Sequence, residues 1–128
     1  MLRAEILVCC LISLAMQSTV TEAGGNLVEG EKVFQRCSSC HSITEADPNK
    51  KGPPLNGIMG RPIASVAGYS YSEPMAKLGA TGAVWNETTL DQFLKYPSEF
   101  VKGTSMTAPP VRRESERVDL IAFLNTLQ

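Results

Sequence analysis

Apolar residues recur at helical spacing in three stretches of the chain. The first stretch begins at Leu27, the second follows Asn86, a residue type favoured at N-caps, and ends at Pro97, and the third starts at Ser115. Their apolar positions are, in chain order, Leu27, Val28, Val33 and Phe34, then Leu90, Phe93 and Leu94, then Val118, Leu120, Ile121, Phe123, Leu124 and Leu127. Because such spacing places apolar side chains on one face of a helix, the pattern predicts an all-α domain with three main helices.

Residues 42–74, which follow the first helix, are predicted to form a long loop. Glycine and proline would interrupt any regular element there, at Pro48, Gly52, Pro53, Pro54, Gly57, Gly60, Pro62, Gly68 and Pro74. A loop of this length is unusual in a compact domain unless it wraps around a cofactor and packs on it. Short helical elements are predicted further on, over residues 71–78 and 98–101.

Cys37-Ser38-Ser39-Cys40-His41, directly after the first helix, has the c-type haem attachment pattern. On a short helical turn the two thiols can reach two vinyl groups on one porphyrin edge, and the next residue lies where an imidazole nitrogen can bind the iron. A thioredoxin-like dithiol would need a βαβ pattern around it, and a zinc site would need about four protein ligands. His41 is the sole histidine and the other cysteines are Cys9 and Cys10, so haem attachment is favoured over the zinc and dithiol alternatives.

The second axial ligand of such a haem cannot be another histidine of this chain. Beyond residue 23 the methionines are Met59, Met75 and Met106, and each could be an ordinary core residue. Met106 is the favoured ligand because it lies in a loop, is far enough along the chain from His41 to reach the opposite haem face, and is followed by two consecutive prolines that stiffen the loop. On the residues alone, a lysine, a water molecule or an open site are the alternatives.

Residues 1–23 have the composition of an export signal. Arg3 is followed by an apolar run over residues 6–16, and Thr21-Glu22-Ala23 places small residues at the two positions that a signal peptidase reads. Cleavage after Ala23 would leave residues 24–128 as the mature domain, in the periplasm. The alternative is a retained N-terminal membrane anchor, although the apolar segment is shorter than the roughly 20 residues that a spanning helix needs.

The charge of residues 24–128 is balanced. The full chain has twelve basic and thirteen acidic side chains, and Arg3, Glu5 and Glu22 are the ones that lie in the first 23 residues, so eleven of each sign remain. No basic run suggests nucleic acid as a partner, and any steering of partners must come from the placement of charges. A chain of this length with few aromatic residues has a modest core of its own, which a large apolar macrocycle would complete.

Residues 26–128 resemble the mitochondrial-type class I cytochromes c and their bacterial relatives. The matching stretches, in the order of that family, are GEKVFQRCSSCHSI, KGPPLNGIMGR, GYSYSEPM, VWNETTLDQFLKYP, VKGTSM and ESERVDLIAFLNTL. The resemblance implies three main helices and long loops wrapped around one haem c, which is attached covalently through Cys37 and Cys40. It also implies His41 and Met106 as axial ligands, with the Pro53 carbonyl accepting a hydrogen bond from the second ring nitrogen of His41.

The same resemblance assigns roles to residues outside the ligand set. It places Arg61, Tyr71 and Trp85 in the buried haem propionate region, where donors and a cation would offset the burial of a carboxylate. It places Gly30 and Phe34 where the first and last helices cross, and a close crossing would explain a glycine that costs a helix about 1 kcal/mol against alanine.

Three residues depart from the family pattern. Phe93 stands where a tyrosine commonly donates to the methionine sulfur, Met75 where an asparagine is common, and Ala108 where an aromatic residue is common beside the ligand loop. None of the three is a ligand, so the departures bear on the reduction potential and on partner affinity.

The function implied by the resemblance is one-electron transfer by a monomeric carrier that is not an enzyme. Its partners would be redox proteins, namely a membrane quinol-oxidising complex, a terminal oxidase, a peroxidase or a periplasmic dehydrogenase, with transient docking on membrane complexes. Two other classes compete with this interpretation: a haem peroxidase or gas-binding protein, and a dedicated subunit of one redox enzyme. A haem peroxidase or a gas-binding protein needs an open coordination position on the iron, which Met106 would occupy as a ligand.

Overall fold

The computed structural model describes residues 24–128, so the leader predicted over residues 1–23 lies outside the described residues. Five helices follow one another along the chain: α1 Leu27–Phe34, α2 Glu73–Ala80, α3 Glu87–Lys95, α4 Pro97–Phe100 and α5 Glu114–Asn125. Between residues 24 and 128 there is no β-strand, and only one isolated antiparallel bridge joins Pro62 to Val84. The predicted all-α fold is confirmed. No helix in this part of the chain is long and apolar enough to cross a bilayer.

Two asparagines fix where α1 and α3 begin. Asn26 Oδ1 accepts from the backbone N–H groups of Val28 and Glu29 at 3.0 and 3.1 Å. At α3, Asn86 Oδ1 accepts from the Thr89 N–H at 2.9 Å, and the Thr89 hydroxyl accepts from the Asn86 N–H at 2.8 Å. This reciprocal pair is a capping box, and both arrangements satisfy N–H groups that the first turn of a helix leaves without a partner.

The first and last helices, α1 and α5, meet at Gly30. A Cβ at this position would overlap the carbonyl oxygen of Asp119 and would lie 2.8 Å from Phe123 Cβ. Phe34 packs beside this contact, with its ring centroid 5.8 Å from that of Phe123, and the Asn26 N–H donates to Asp119 Oδ1 at 2.7 Å. Glycine is therefore the residue that permits this approach of two backbones.

The buried face of α5 differs from the predicted apolar face. Arg117, Leu120, Ile121 and Leu124 are its buried residues, whereas Val118 is 43% exposed. The buried set follows the i, i+3, i+4, i+7 spacing of one helical face. Val118 lies two positions from Leu120, on the opposite side of the helix, so its inclusion in the apolar face was wrong.

The long loop between α1 and α2 is bound to the segment that precedes α3. The Gly60 N–H donates to the Trp85 carbonyl at 2.7 Å, the Trp85 N–H donates to the Arg61 carbonyl at 2.9 Å, and the Ile63 N–H donates to the Ala83 carbonyl at 2.9 Å. Ile63 and Trp85 are also core residues. The loop therefore forms one wall of the core and carries Arg61 with it.

Candidate haem-binding site

The two thiols of the attachment motif lie on a helical turn that continues from α1. The Cys37 N–H donates to the Phe34 carbonyl at 2.7 Å, and the N–H groups of Cys40 and His41 donate to the Cys37 carbonyl at 3.0 and 2.9 Å. Both thiols are free and half-buried. Burial raises the pKa of the Cys37 thiol, while the positive charge of Arg36 acts in the opposite direction. The turn thus presents two thiols and an imidazole close together, as covalent haem attachment requires.

The His41 ring is oriented by one backbone carbonyl. Its Nδ1 lies 2.7 Å from the Pro53 carbonyl oxygen. Because that oxygen can only accept, Nδ1 carries the proton and Nε2 keeps a lone pair for a metal. Burial lowers the pKa of His41, the bond to Pro53 raises it and the charge of Arg61 lowers it. The neutral imidazole, which is the form that binds a metal, is therefore favoured.

Gly52 forms the surface against which the His41 ring lies. A Cβ on Gly52 would approach His41 Nδ1 to 2.7 Å and Nε2 to 2.9 Å. The Gly52 N–H donates to the Cys40 carbonyl at 2.8 Å, so its backbone cannot easily move away. The sequence showed Gly52 only as one of several loop glycines, and its contact with the imidazole depends on how the loop folds back.

Met106 lies beside the same apolar cavity as the first motif cysteine. The cavity is lined by Arg36, Cys37, Leu94, Pro97, Met106, Ala108, Pro109 and Val111. Met106 and Met59 are both half-buried and pack against the core, whereas Met75 is buried in α2; of the three, Met106 lines this cavity. The structure therefore brings Met106 close to the attachment turn. His41 is not among the residues that line this cavity.

Arg61 is held inside the long loop by two carbonyl groups. Its guanidinium donates to the Pro54 carbonyl at 2.8 Å and to the Asn56 carbonyl at 3.2 Å. Burial lowers the pKa of Arg61, and the neighbouring Tyr71 opposes this effect. The Tyr71 hydroxyl accepts from the Val66 N–H at 3.1 Å and keeps its own hydrogen for another acceptor. Arg61 and Tyr71 thus lie near each other, as the resemblance implies.

The Trp85 side chain contacts other aromatic residues of the core. Its ring centroid is 5.2 Å from that of Phe93 and 6.5 Å from that of Phe100. Its connection to Arg61 runs through the backbone hydrogen bond described above. The structure therefore places Trp85 in an aromatic cluster with Phe93, one of the residues that depart from the family pattern.

Two buried polar atoms in the described residues have no hydrogen-bond partner: Ser72 Oγ and Asn56 Oδ1. Ser72 precedes α2 at the N-cap position, yet its side chain makes no capping hydrogen bond. A buried hydroxyl without a partner costs roughly 1–3 kcal/mol, so it needs one. Ser72 is adjacent to Tyr71 in sequence, and a carboxylate buried there could accept from both hydroxyls. Sequence reasoning did not identify Ser72, which lay inside the helix predicted over residues 71–78, whereas the helix begins at Glu73.

The residues of this site fit a covalently attached haem. Two thiols and a neutral, oriented imidazole lie on one turn, and a thioether lies beside an apolar cavity. A buried hydroxyl without a partner, that of Ser72, follows Tyr71 in the chain. The thiols suit the vinyl edge of a haem, and the imidazole suits its iron. The apolar cavity suits the ring, and the hydroxyl suits a buried propionate.

Comparison with known proteins gives a consistent result. The Cytochrome c family model matches residues 27–128. Cytochrome c-554 of Methylosinus trichosporium is 39% identical over 114 residues, which cover 89% of this chain and 84% of that protein. Cytochrome c2 of Agrobacterium tumefaciens (strain II Chrys) is 41% identical over 100 residues, or 78% of this chain and 90% of that protein. Cytochrome c-550 of Ancylobacter novellus is 38% identical over 98 residues, or 77% of this chain and 92% of that protein.

Proposed function

Because this chain belongs to the cytochrome c family and binds covalent haem c through Cys37 and Cys40, we propose that it is a periplasmic one-electron carrier with His41 and Met106 as axial ligands. The chain is a haem-containing electron-transfer protein and not an enzyme, and its partners are redox proteins. When bound, haem c supplies an iron that gains or loses one electron. The ligands, the compartment and the choice of partners are the proposed parts.

One observation carries the assignment of His41: the hydrogen bond from its Nδ1 to the Pro53 carbonyl, at 2.7 Å. This bond fixes the tautomer and the ring orientation, and it makes the imidazole a better electron donor through Nε2. Together with the ring contact at Gly52, it leaves His41 little freedom to turn away. An oriented ligand keeps the metal geometry unchanged between oxidation states, as rapid electron transfer requires.

The assignment of Met106 rests on its position and on the chemistry of its sulfur. It is half-buried beside a cavity that it shares with Cys37, Leu94 and Val111. A soft thioether in a dry, apolar environment stabilises reduced iron more than oxidised iron, so we expect a positive reduction potential. The apolar lining would also keep water away from the position opposite His41.

Arg61, Tyr71 and Ser72 are proposed to hold the haem carboxylates. Arg61 supplies a positive charge that is itself fixed by two carbonyl groups, and Tyr71 and Ser72 supply hydroxyl donors. A buried carboxylate is costly unless it is paired and hydrogen-bonded. These residues would therefore stabilise the bound cofactor and influence its potential. Trp85 is proposed to close this region from the aromatic side.

The compartment follows from the predicted cleavable leader over residues 1–23. Cleavage of such a leader would place residues 24–128 in the periplasm. The proposed partners are a quinol-oxidising complex and an oxidase, peroxidase or periplasmic dehydrogenase. Intact mass of the periplasmic protein tests the leader: it should equal residues 24–128 plus one haem.

Substitution of Met106 tests the ligand assignment. Met106→Ala should keep covalent haem but lose the weak near-infrared band that arises from sulfur-to-iron charge transfer, and its reduction potential should fall. Met59→Leu is a control, since Met59 is also half-buried and packed against the core but does not line the cavity next to Cys37. The control should keep the band. A Met106→Ala protein that retains both the band and the potential of the wild type would show that another residue is the ligand.

A further inference from the structure

Arg117 is the one charged side chain in the buried core of residues 24–128, and the proposed function does not use it. It takes the first inward position of α5 and is 4% exposed. Its Nε donates to Asp91 Oδ1 at 2.6 Å, and its Nη1 donates to the carbonyl groups of Val111 and Arg112 at 3.1 and 2.8 Å. A guanidinium is costly to bury unless acceptors surround it, so these three hydrogen bonds account for its place in the core.

The two carbonyl groups end the loop that carries Met106. Residues 105–110, all within the described part of the chain, make no backbone–backbone hydrogen bond. The loop is fixed at its start, where the Thr104 N–H donates to the Val101 carbonyl at 3.0 Å. It is next fixed at Val111, whose N–H donates to the Leu94 carbonyl at 2.8 Å. Near the start of the loop, the Met106 N–H donates to the Thr104 side-chain oxygen Oγ1 at 3.3 Å. The course of the loop from Met106 onward therefore depends on what holds its end at Val111.

Both backbone polar groups of Val111, its N–H and its carbonyl, are connected to α3. Its N–H binds the α3 carbonyl of Leu94 directly, and its carbonyl is bound to the α3 carboxylate of Asp91 through Arg117. Arg117 itself belongs to α5. One side chain thus connects two helices to the end of a loop whose residues 105–110 make no backbone–backbone hydrogen bond.

We propose that Asp91 and Arg117 form a clamp that positions Met106 by holding the end of its loop at Val111 and Arg112. The proposal rests on the proposed role of Met106 as an axial ligand. Asp91 orients the guanidinium, and the guanidinium holds the two carbonyl groups. Without the clamp, the loop end separates from α3 and α5 more often, so the sulfur leaves the iron while the helices stay folded. Asp91 and Arg117 are positioning residues, since neither is placed at the haem.

The test uses the haem-loaded full chain and the variants Asp91→Asn and Arg117→Met. Asp91→Asn keeps the shape and an acceptor oxygen but removes the charge. Ile121→Val is the matched control, because Ile121 is buried one turn further along α5 and its truncation leaves all three hydrogen bonds of Arg117 in place. Far-ultraviolet circular dichroism follows the helices, the near-infrared band follows Met106, and hydrogen exchange follows the Val111 amide.

Asp91→Asn should raise the population of the open loop about tenfold, since hydrogen bonds to charged groups are strong but this carboxylate is partly exposed. Val111 exchange should accelerate by about that factor, and the near-infrared band should disappear at a lower denaturant concentration than the helical signal. In Ile121→Val both transitions should move together. Parallel shifts and unchanged Val111 exchange in Asp91→Asn would overturn the clamp, even if Arg117→Met failed to fold. If the wild-type protein lacked the near-infrared band, the assignment of Met106 as a ligand would be overturned instead. The clamp could then still be tested, because hydrogen exchange of the Val111 amide follows the loop end without the band.

Discussion

A methyl group on Gly52 would occupy space that the His41 ring fills. The added Cβ would lie 2.7 Å from Nδ1 and 2.9 Å from Nε2, closer than side-chain carbons come to ring atoms in folded proteins. The ring cannot yield freely, since its Nδ1 is bound to the Pro53 carbonyl and its other nitrogen is the proposed ligand atom. The Gly52 backbone is held in turn by the Cys40 carbonyl. Gly52→Ala must therefore displace the imidazole, the loop or both.

The expected loss of stability is the sum of three effects. Overpacking at a close contact costs about 1–3 kcal/mol. Losing or lengthening the bond between His41 and Pro53 costs about 1 kcal/mol. Alanine restricts the unfolded chain more than glycine does, and this effect stabilises the folded state by about 0.4–1 kcal/mol. The net change in the free energy of unfolding is a loss of about 2 kcal/mol.

Denaturant unfolding and voltammetry of the haem-loaded protein measure the two consequences. The free energy of unfolding should fall by that amount, and the reduction potential should rise, because a weaker bond to Pro53 makes His41 a poorer donor to ferric iron. Gly57→Ala is the control: Gly57 has φ +65° and no atom within 4 Å of the added Cβ, so it should lose about 1 kcal/mol from backbone strain at unchanged potential. A Gly52→Ala protein with the stability and potential of the wild type would refute the role of Gly52.

Three further changes have measurable outcomes. Ala64 has φ +59°, a conformation that glycine adopts without strain, so Ala64→Gly should raise the free energy of unfolding by up to about 1 kcal/mol in denaturant titrations; a loss would contradict the strain. Phe93→Tyr should raise the reduction potential modestly, because a hydroxyl that donates to the Met106 sulfur would weaken its donation to ferric iron; voltammetry showing an equal or lower value would exclude that contact. We propose that the exposed Arg112 and Arg113, which follow the loop that carries Met106, contact an anionic redox partner. Reversing their charges should slow association with that partner and flatten its salt dependence, and unchanged stopped-flow rates would show that neither side chain contributes to docking.

The parts of the site that could be predicted from the sequence are those set by local spacing. Cys37, Cys40 and His41 lie on one turn because they are neighbours in the chain, and hydrogen bonds to the Cys37 carbonyl form that turn. The helical fold followed from apolar spacing in the same way. Ser72 illustrates the opposite case. Its buried hydroxyl becomes informative only when the fold shows that it has no partner, and no sequence pattern distinguishes it from an ordinary N-cap.

Arg117 lies between these two cases. It precedes Leu120, Ile121 and Leu124 at the spacing of one helical face, so the sequence places a charge in the series that the core buries. A charge in such a position must have acceptors, because an unpaired one would cost several kcal/mol. The sequence can therefore indicate that partners exist. It cannot identify them, since Asp91 belongs to another helix and the two carbonyl groups belong to a loop that Arg117 itself helps to hold. A buried arginine within an apolar helical face thus marks a place where distant segments meet, here beside the loop that carries Met106.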